Sequence, residues 1–340
     1  MYDTMTSVIA LQDPARTVTK GVPAGTPLLN YGVIMAKSFL TYEQQIKKLV
    51  DDKNLIINDE EYATSVLKEI GYFALIGGYK DLFKNNTTKK YKDGTCFEDI
   101  VALYKFDENL RELFLKYLLK IERHIRSLIS YYFCEKYGES QSYYLDKNNF
   151  SRHSKDMEDV KRLLGELEKL ANHKSDYKYI NHHRNTYGNV PLWVLFNGVT
   201  FGTISKFYML MTQDLQFKVS REFQSLSEKK VRQILDVITK FRNVCAHNER
   251  LFSYKTKNAI PNLSAHKALN IMTKGDAYVS GIQDLFSVVI SFKYLLSDED
   301  FGKFKNSLAS TIEYYIENTS ALSENNILNA MGFPQNWKQV

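Results

Sequence analysis

Residues 105–137, KFDENLRELFLKYLLKIERHIRSLISYYFCEKY, decide the fold. Phe106, Leu110, Leu113, Phe114, Tyr117, Leu118, Ile121, Ile125, Leu128, Ile129, Tyr132 and Phe133 recur mostly three or four residues apart, which is one apolar stripe along a helix. The spacing predicts a helix from about Glu108 to Tyr137. Asp107 is placed to cap its start and Gly138 to end it. On the polar side stand Glu122, Arg123 and Arg126, with Glu122 and Arg126 at a spacing that brings side chains together on a helix.

Helical period continues outward in both directions. Before the long stripe, Thr41 can cap a helix carrying Tyr42, Ile46, Leu49 and Val50. Asn58 and the acidic run Asp59, Glu60, Glu61 start another, which continues through Val66, Leu67, Ile70 and Phe73 toward a break at Gly77-Gly78. After the stripe come a charged, surface-lying helix over about 155–170 and a polar, irregular stretch from Asn172 to Val190. Residues 191–211, PLWVLFNGVTFGTISKFYMLM, suggest a buried helical pair broken near Asn197-Gly198, with Trp193 in the core rather than on a base-stacking surface. Ser227 then caps a helix carrying Val231, Ile234, Leu235, Ile238, Phe241 and Cys245, and two apolar helices follow near 280–296 and 300–318. No period-two pattern and no internal repeat is visible. The expected class is all-α. Residues 1–36, with Pro14, Pro23 and Pro27 among glycines, suggest a flexible extension. Residues 37–104 form an N-terminal helical region and 105–338 the main helical domain, the whole of 37–338 being expected to pack as one unit.

Composition narrows the functional classes. In 340 residues, 44% hydrophobic and 25% charged is globular rather than disordered composition. Cys96, Cys134 and Cys245 are isolated and odd in number, which supports neither a disulfide framework nor a zinc knuckle and fits a reduced cytoplasmic setting. No apolar run approaches the roughly 18 residues that mark a membrane span, and no signal peptide is visible. Of a net charge of +6, residues 221–257 carry nine basic against four acidic side chains. Nearly all the excess thus falls in one segment, which favours a phosphate-bearing partner, although a solvated basic face fits the charge equally well.

That segment contains Phe241-Arg242-Asn243-Val244-Cys245-Ala246-His247-Asn248-Glu249-Arg250. A helical wheel puts the apolar stripe near Ile238 and Cys245, and Asn243 and His247 together on the polar face above Asp236 and Lys240. Arg242 sits at the stripe's border, from which a long side chain can snorkel outward. RNA cleavage without a metal needs a base for a 2′-OH, an acid for the leaving 5′-oxygen and a cation for the phosphate. Histidine titrates near neutral pH and can supply either proton transfer. Arginine offers a fork matched to phosphate oxygens. Asn243 can orient the ring or the phosphate. By spacing alone the pair is a weak signal, and a capping or surface histidine satisfies it too. The adjacent His182 and His183, near Asp176, make a poor metal site because neighbouring side chains point apart, and no cofactor is expected. His153 and His173 lie in polar surroundings.

Resemblance adds to this reading. Residues 37–83, 105–133, 142–150 (SYYLDKNNF), 191–211 and 331–338 (MGFPQNWK) resemble, in order, the bacterial abortive-infection proteins of the AbiD/AbiF-like family. RNVCAHNERLF (242–252) resembles that family's signature, an instance of the R-x4-6-H motif of HEPN ribonucleases. The resemblance implies a HEPN-like helical bundle with an N-terminal helical extension, a role in phage defence or as a toxin, and kinship with the HEPN effectors of RNA-targeting CRISPR systems. Arg242 and His247 match the motif's ends and Asn243 its polar second position. Glu122, Arg123 and Arg126 match a patch on the long helix which, with Lys240 and Arg250, is expected to contact RNA. Since such enzymes combine two motifs and this chain has one, a homodimer is implied. The partners expected are RNA, as substrate and as a structured antitoxin, and no membrane. A non-catalytic RNA-binding defence protein and the toxin of a protein-antitoxin pair stay open.

Overall fold

The computed structural model describes residues 38–340, so the extension expected over 1–36 lies outside the described residues. Helix accounts for 67% of the structure, and the only paired strands among the described residues are Thr273–Lys274 and Ala277–Tyr278. The fold is all-α. Residues Thr41–Val340 form one unit.

The centre of that unit is a 41-residue helix, Phe97–Tyr137, hereafter the long helix. It begins eleven residues before the predicted start. Its N-cap is Cys96, whose N–H donates to the Asp99 carboxylate at 2.8 Å. Asp107 is therefore not a cap. It lies in the third turn, fully buried, with partners described below. The expected division at 104/105 accordingly falls inside a continuous helix. Gly138, in the left-handed region at φ +98°, ends the helix as predicted.

The long helix packs against Glu228–Ala246, hereafter the motif helix, and against Asp298–Asn318. Phe114, Tyr117, Phe292 and Phe304 interlock where it meets the C-terminal helices, with ring centroids 4.8–6.3 Å apart. Edge and tilted contacts of this kind add to the apolar area that drives the packing. Ser227 caps the motif helix as expected, accepting from the Lys230 N–H. Thr41 caps Tyr42–Lys47.

Three other expectations change. The helix begun near Asn58 has Asp59 as its cap and ends at Ile70, because Gly71 at φ +88° turns the chain before the predicted break. Phe73, assigned to that helix, stands 88% exposed. The stretch expected to be irregular contains a helix, Lys178–Tyr187, pinned by one fully buried residue, Ile180, and by Arg184, which donates to the Leu170 and Ala171 carbonyls. Trp193 is 48% exposed although its neighbours Leu195 and Phe196 are buried, so it is a surface residue and not core.

Candidate active site

The motif helix ends in a two-bond turn that its sequence encodes. Asn248 takes the left-handed conformation at φ +56°, the Glu249 N–H donates to Val244 O at 3.0 Å, and the Asn248 N–H donates to Cys245 O at 3.4 Å. This is the Schellman ending, for which asparagine is the common substitute for glycine. His247 is consequently the C-cap, with its backbone N–H bonded to Asn243 O at 2.9 Å. Its imidazole is exposed and has no side-chain partner among the described residues. Asn243, one turn earlier, is exposed and equally unbonded, so the orienting contact expected between Asn243 and His247 runs only through the backbone. Cys245, inside the motif, is buried, and burial pushes its thiol up to about 12. It stays neutral and serves packing rather than nucleophilic chemistry.

Arg242 snorkels from the border of the apolar stripe, as the wheel predicted, and its side chain is 24% exposed. Its Nε donates to Glu122 Oε2 at 3.0 Å. The other oxygen, Glu122 Oε1, accepts from Arg126 Nη2 at 2.9 Å. Glu122 is buried and bridges two guanidinium groups from two helices, so it is more than half of a surface i,i+4 pair. Arg126 also reaches Asn197 Oδ1 at 3.4 Å, and Asn197 in turn donates to the Trp193 carbonyl at 2.8 Å. With Nε taken by Glu122, both Nη nitrogens of Arg242 lack a protein partner among the described residues. They form the two-pronged edge that binds phosphate or carboxylate oxygens.

Below this cluster a second one fixes the segment after the motif. Asp107 accepts from Tyr79 Oη at 2.7 Å, Arg111 Nη1 at 2.8 Å, and the backbone N–H groups of Leu251 at 2.9 Å and Phe252 at 2.6 Å. Phe252 stacks on Tyr79 with centroids 5.8 Å apart. Buried polar groups must find partners, and here they hold the chain that leaves His247. Sequence reasoning missed Tyr79, Asp107 and Arg111 as a unit. Their only sequence signal was the Asp107–Arg111 spacing.

The remaining expected RNA contacts separate from the site. Lys240 is paired with Asp236 at 2.9 Å, and Asp236 also accepts from Asn258. Arg250 donates to the Gly78 carbonyl and lies 3.7 Å from Asp81, tying the motif turn to the N-terminal region. Arg123 points away from Glu122 and Arg126 and lines a different depression, beside His124 and Lys293. His182 and His183 meet each other and Tyr187, His182 Nδ1 lies 3.3 Å from Thr186 Oγ1, and no three His, Cys, Asp or Glu side chains converge as a metal site among the described residues.

The Abi-like protein family matches residues 65–253, more than half of the chain, and the chain belongs to that family. The match takes in both carboxylate clusters and stops just past the Asp107-bound backbone of Leu251 and Phe252. No curated protein and no solved structure gives a match. Membership supports an abortive-infection role. No helix among the described residues is long and apolar enough to cross a membrane.

Proposed function

We propose that this protein is a metal-independent endoribonuclease of the HEPN type that acts in abortive infection. Arg242 would take two phosphate oxygens on its free Nη edge, and His247 would transfer a proton. The 2′-OH attacks the adjacent phosphorus while the bond to the 5′-oxygen breaks, leaving a 2′,3′-cyclic phosphate and a 5′-OH end. One proton leaves the attacking hydroxyl and another is delivered to the departing oxygen, so two proton-transfer groups are needed. One chain offers one histidine at this place, and the second would come from a second copy related by a two-fold axis. A bound structured RNA is the proposed restraint on the activity.

The observation that carries this reading is the bridge from Glu122. It holds the motif arginine by Nε and leaves the phosphate-matching edge outward on the same helix end as an exposed histidine. A non-catalytic RNA-binding protein is the second reading, favoured by the lack of any group among the described residues that orients the His247 ring.

The test is RNA cleavage by purified protein in excess EDTA, with end-group analysis of the products. Wild type is expected to give cyclic-phosphate ends, and His247→Ala to lose about 10²–10⁴-fold in rate while RNA affinity barely changes. Arg242→Ala should lose cleavage and some affinity. A His247→Ala protein that cuts at the wild-type rate, or wild type stopped by EDTA, overturns the proposal.

A further inference from the structure

The linear charge count placed the basic excess around the motif, but the folded chain moves much of it elsewhere. Lys240 and Arg250 are each paired beside the motif. Arg152, Lys155, Lys229 and Arg232 gather instead at the opposite end of the motif helix, around a depression of about 790 Å³. Its walls are the last turn of the long helix at Lys136 and Tyr137, the loop through residues 148–156, and the first turns of the motif helix. All four cations are exposed, and none has a carboxylate or other partner among the described residues. A fifth, Lys136, is bound to Asp214 at 2.7 Å. The lining also holds two carboxylates, Asp156, which accepts from Ser151 Oγ at 2.7 Å, and Glu228, which accepts from Gln213 Nε2 at 3.3 Å, so five cations face two carboxylates.

The larger depression, about 1110 Å³, provides the contrast. There Lys120 is paired with Asp300 at 2.5 Å, Lys305 reaches the carbonyls of Lys338 and Val340, and the lining sets three carboxylates, Glu222, Asp298 and Asp300, against four cations, Lys120, Arg123, Lys293 and Lys305. Size alone would select that one, whereas charge selects the smaller. Unpaired like charges facing one concavity repel each other, and an anion of matching extent relieves the repulsion. The cations stand on two separate elements, a loop and a helix, so they suit a chain of phosphates better than a single small anion.

We propose that this depression binds the phosphodiester backbone of single-stranded RNA, as a contact remote from Arg242 and His247. The inference rests on the protein handling RNA but not on its cutting it. The experiment is fluorescence anisotropy of a labelled single-stranded oligoribonucleotide with the full chain, titrated over a range of NaCl concentrations. Replacing Arg152, Lys155, Lys229 and Arg232 together by Ala should weaken binding at least about tenfold and reduce the log–log salt slope by roughly 3, at about 0.7 per cation for a single strand. Arg232→Glu alone should shift both in the same direction, which covers the case in which the fourfold variant folds poorly. Lys120→Ala/Lys293→Ala, at the larger depression, should leave the slope where it was. An unchanged slope in the fourfold variant overturns the inference. So does a wild type that binds no RNA, or full displacement of the strand by inorganic phosphate. Cleavage lost with the slope effect intact rejects only the enzyme reading; cleavage intact with no slope effect rejects only this one.

Discussion

Two carboxylate–arginine pairs stand on the long helix with the same four-residue spacing, yet their surroundings give them opposite characters. Asp107 and Arg111 are sealed inside, and Asp107 receives four donors, two of them backbone N–H groups from the segment after the motif. Glu122 and Arg126 sit where a third group, Arg242, arrives from another helix with a free edge toward solvent. In the first, Asp107 collects four donors away from water and so holds a shape, although Arg111 Nη2 is left without a partner among the described residues. The second leaves hydrogen-bonding capacity over and so can hold a ligand. Spacing along a helix says that two side chains meet; burial and the third partner decide what the meeting does.

The largest expected effect tests the sealed pair. Asp107→Ala strands Arg111 and the Leu251 and Phe252 N–H groups away from water, and breaking a buried pair in this way costs about 3–5 kcal/mol. Denaturant unfolding should show that loss. A loss under about 1 kcal/mol, the range of exposed pairs, would erase the distinction between the two clusters.

A third carboxylate sharpens the comparison from the other side. Asp284 caps the helix Leu285–Leu295 and accepts from the N–H groups of Gly281 and Ser287, with no ion pair among the described residues. Burial pushes its carboxyl up from 3.8 to about 6. A folded value above the unfolded one means that the native state holds the proton more tightly. The associated stability is then fully present below about pH 4 and is lost as pH rises through about 6, on the order of 2–3 kcal/mol in all. Unfolding free energies of wild type and Asp284→Asn, measured from pH 4 to 7, should diverge in that sense. Parallel curves would mean that backbone donors alone keep a buried aspartate near its ordinary range.

The smallest stability effect belongs to the open cluster. Glu122→Gln keeps the shape but weakens two charged hydrogen bonds, for a cost of about 1–2 kcal/mol. Because Glu122 positions Arg242, RNA cleavage should fall while RNA affinity holds or rises, since a negative charge has gone. Cleavage at the wild-type rate would reduce the bridge to an ordinary ion pair.

The sequence carried the helical class because apolar residues recur at helical spacing in most segments between residues 41 and 318, and tertiary packing has only to bury faces that this spacing already sets. It carried the motif helix well, including Ser227 as cap and the snorkelling of Arg242, since both follow from local geometry. It failed where the deciding partner lies far along the chain. An aspartate before an apolar stripe looks like a cap, and only Tyr79, Leu251 and Phe252, up to 145 residues away, reveal Asp107 as a buried acceptor. Trp193 in an apolar run looks like core until the neighbouring segments leave it uncovered. A count of basic residues cannot foresee that Asp236 and Asp81 engage two of them, or that Lys229 and Arg232 face the other end of their own helix.

The long helix contains neither proline nor glycine between Phe97 and Tyr137, so nothing in its sequence invites a kink. Asp107, Glu122 and Tyr137 therefore stand at graduations fifteen residues apart, each about 22 Å from the next at 1.5 Å per residue. The helix works as a ruler with the structural anchor at one mark, the Arg242 clamp at the next and the cationic depression at the last. A strand that touches the last two marks together has to span that interval, which a mononucleotide cannot do. If RNA touches both as proposed, length would be a property that this protein reads separately from base sequence.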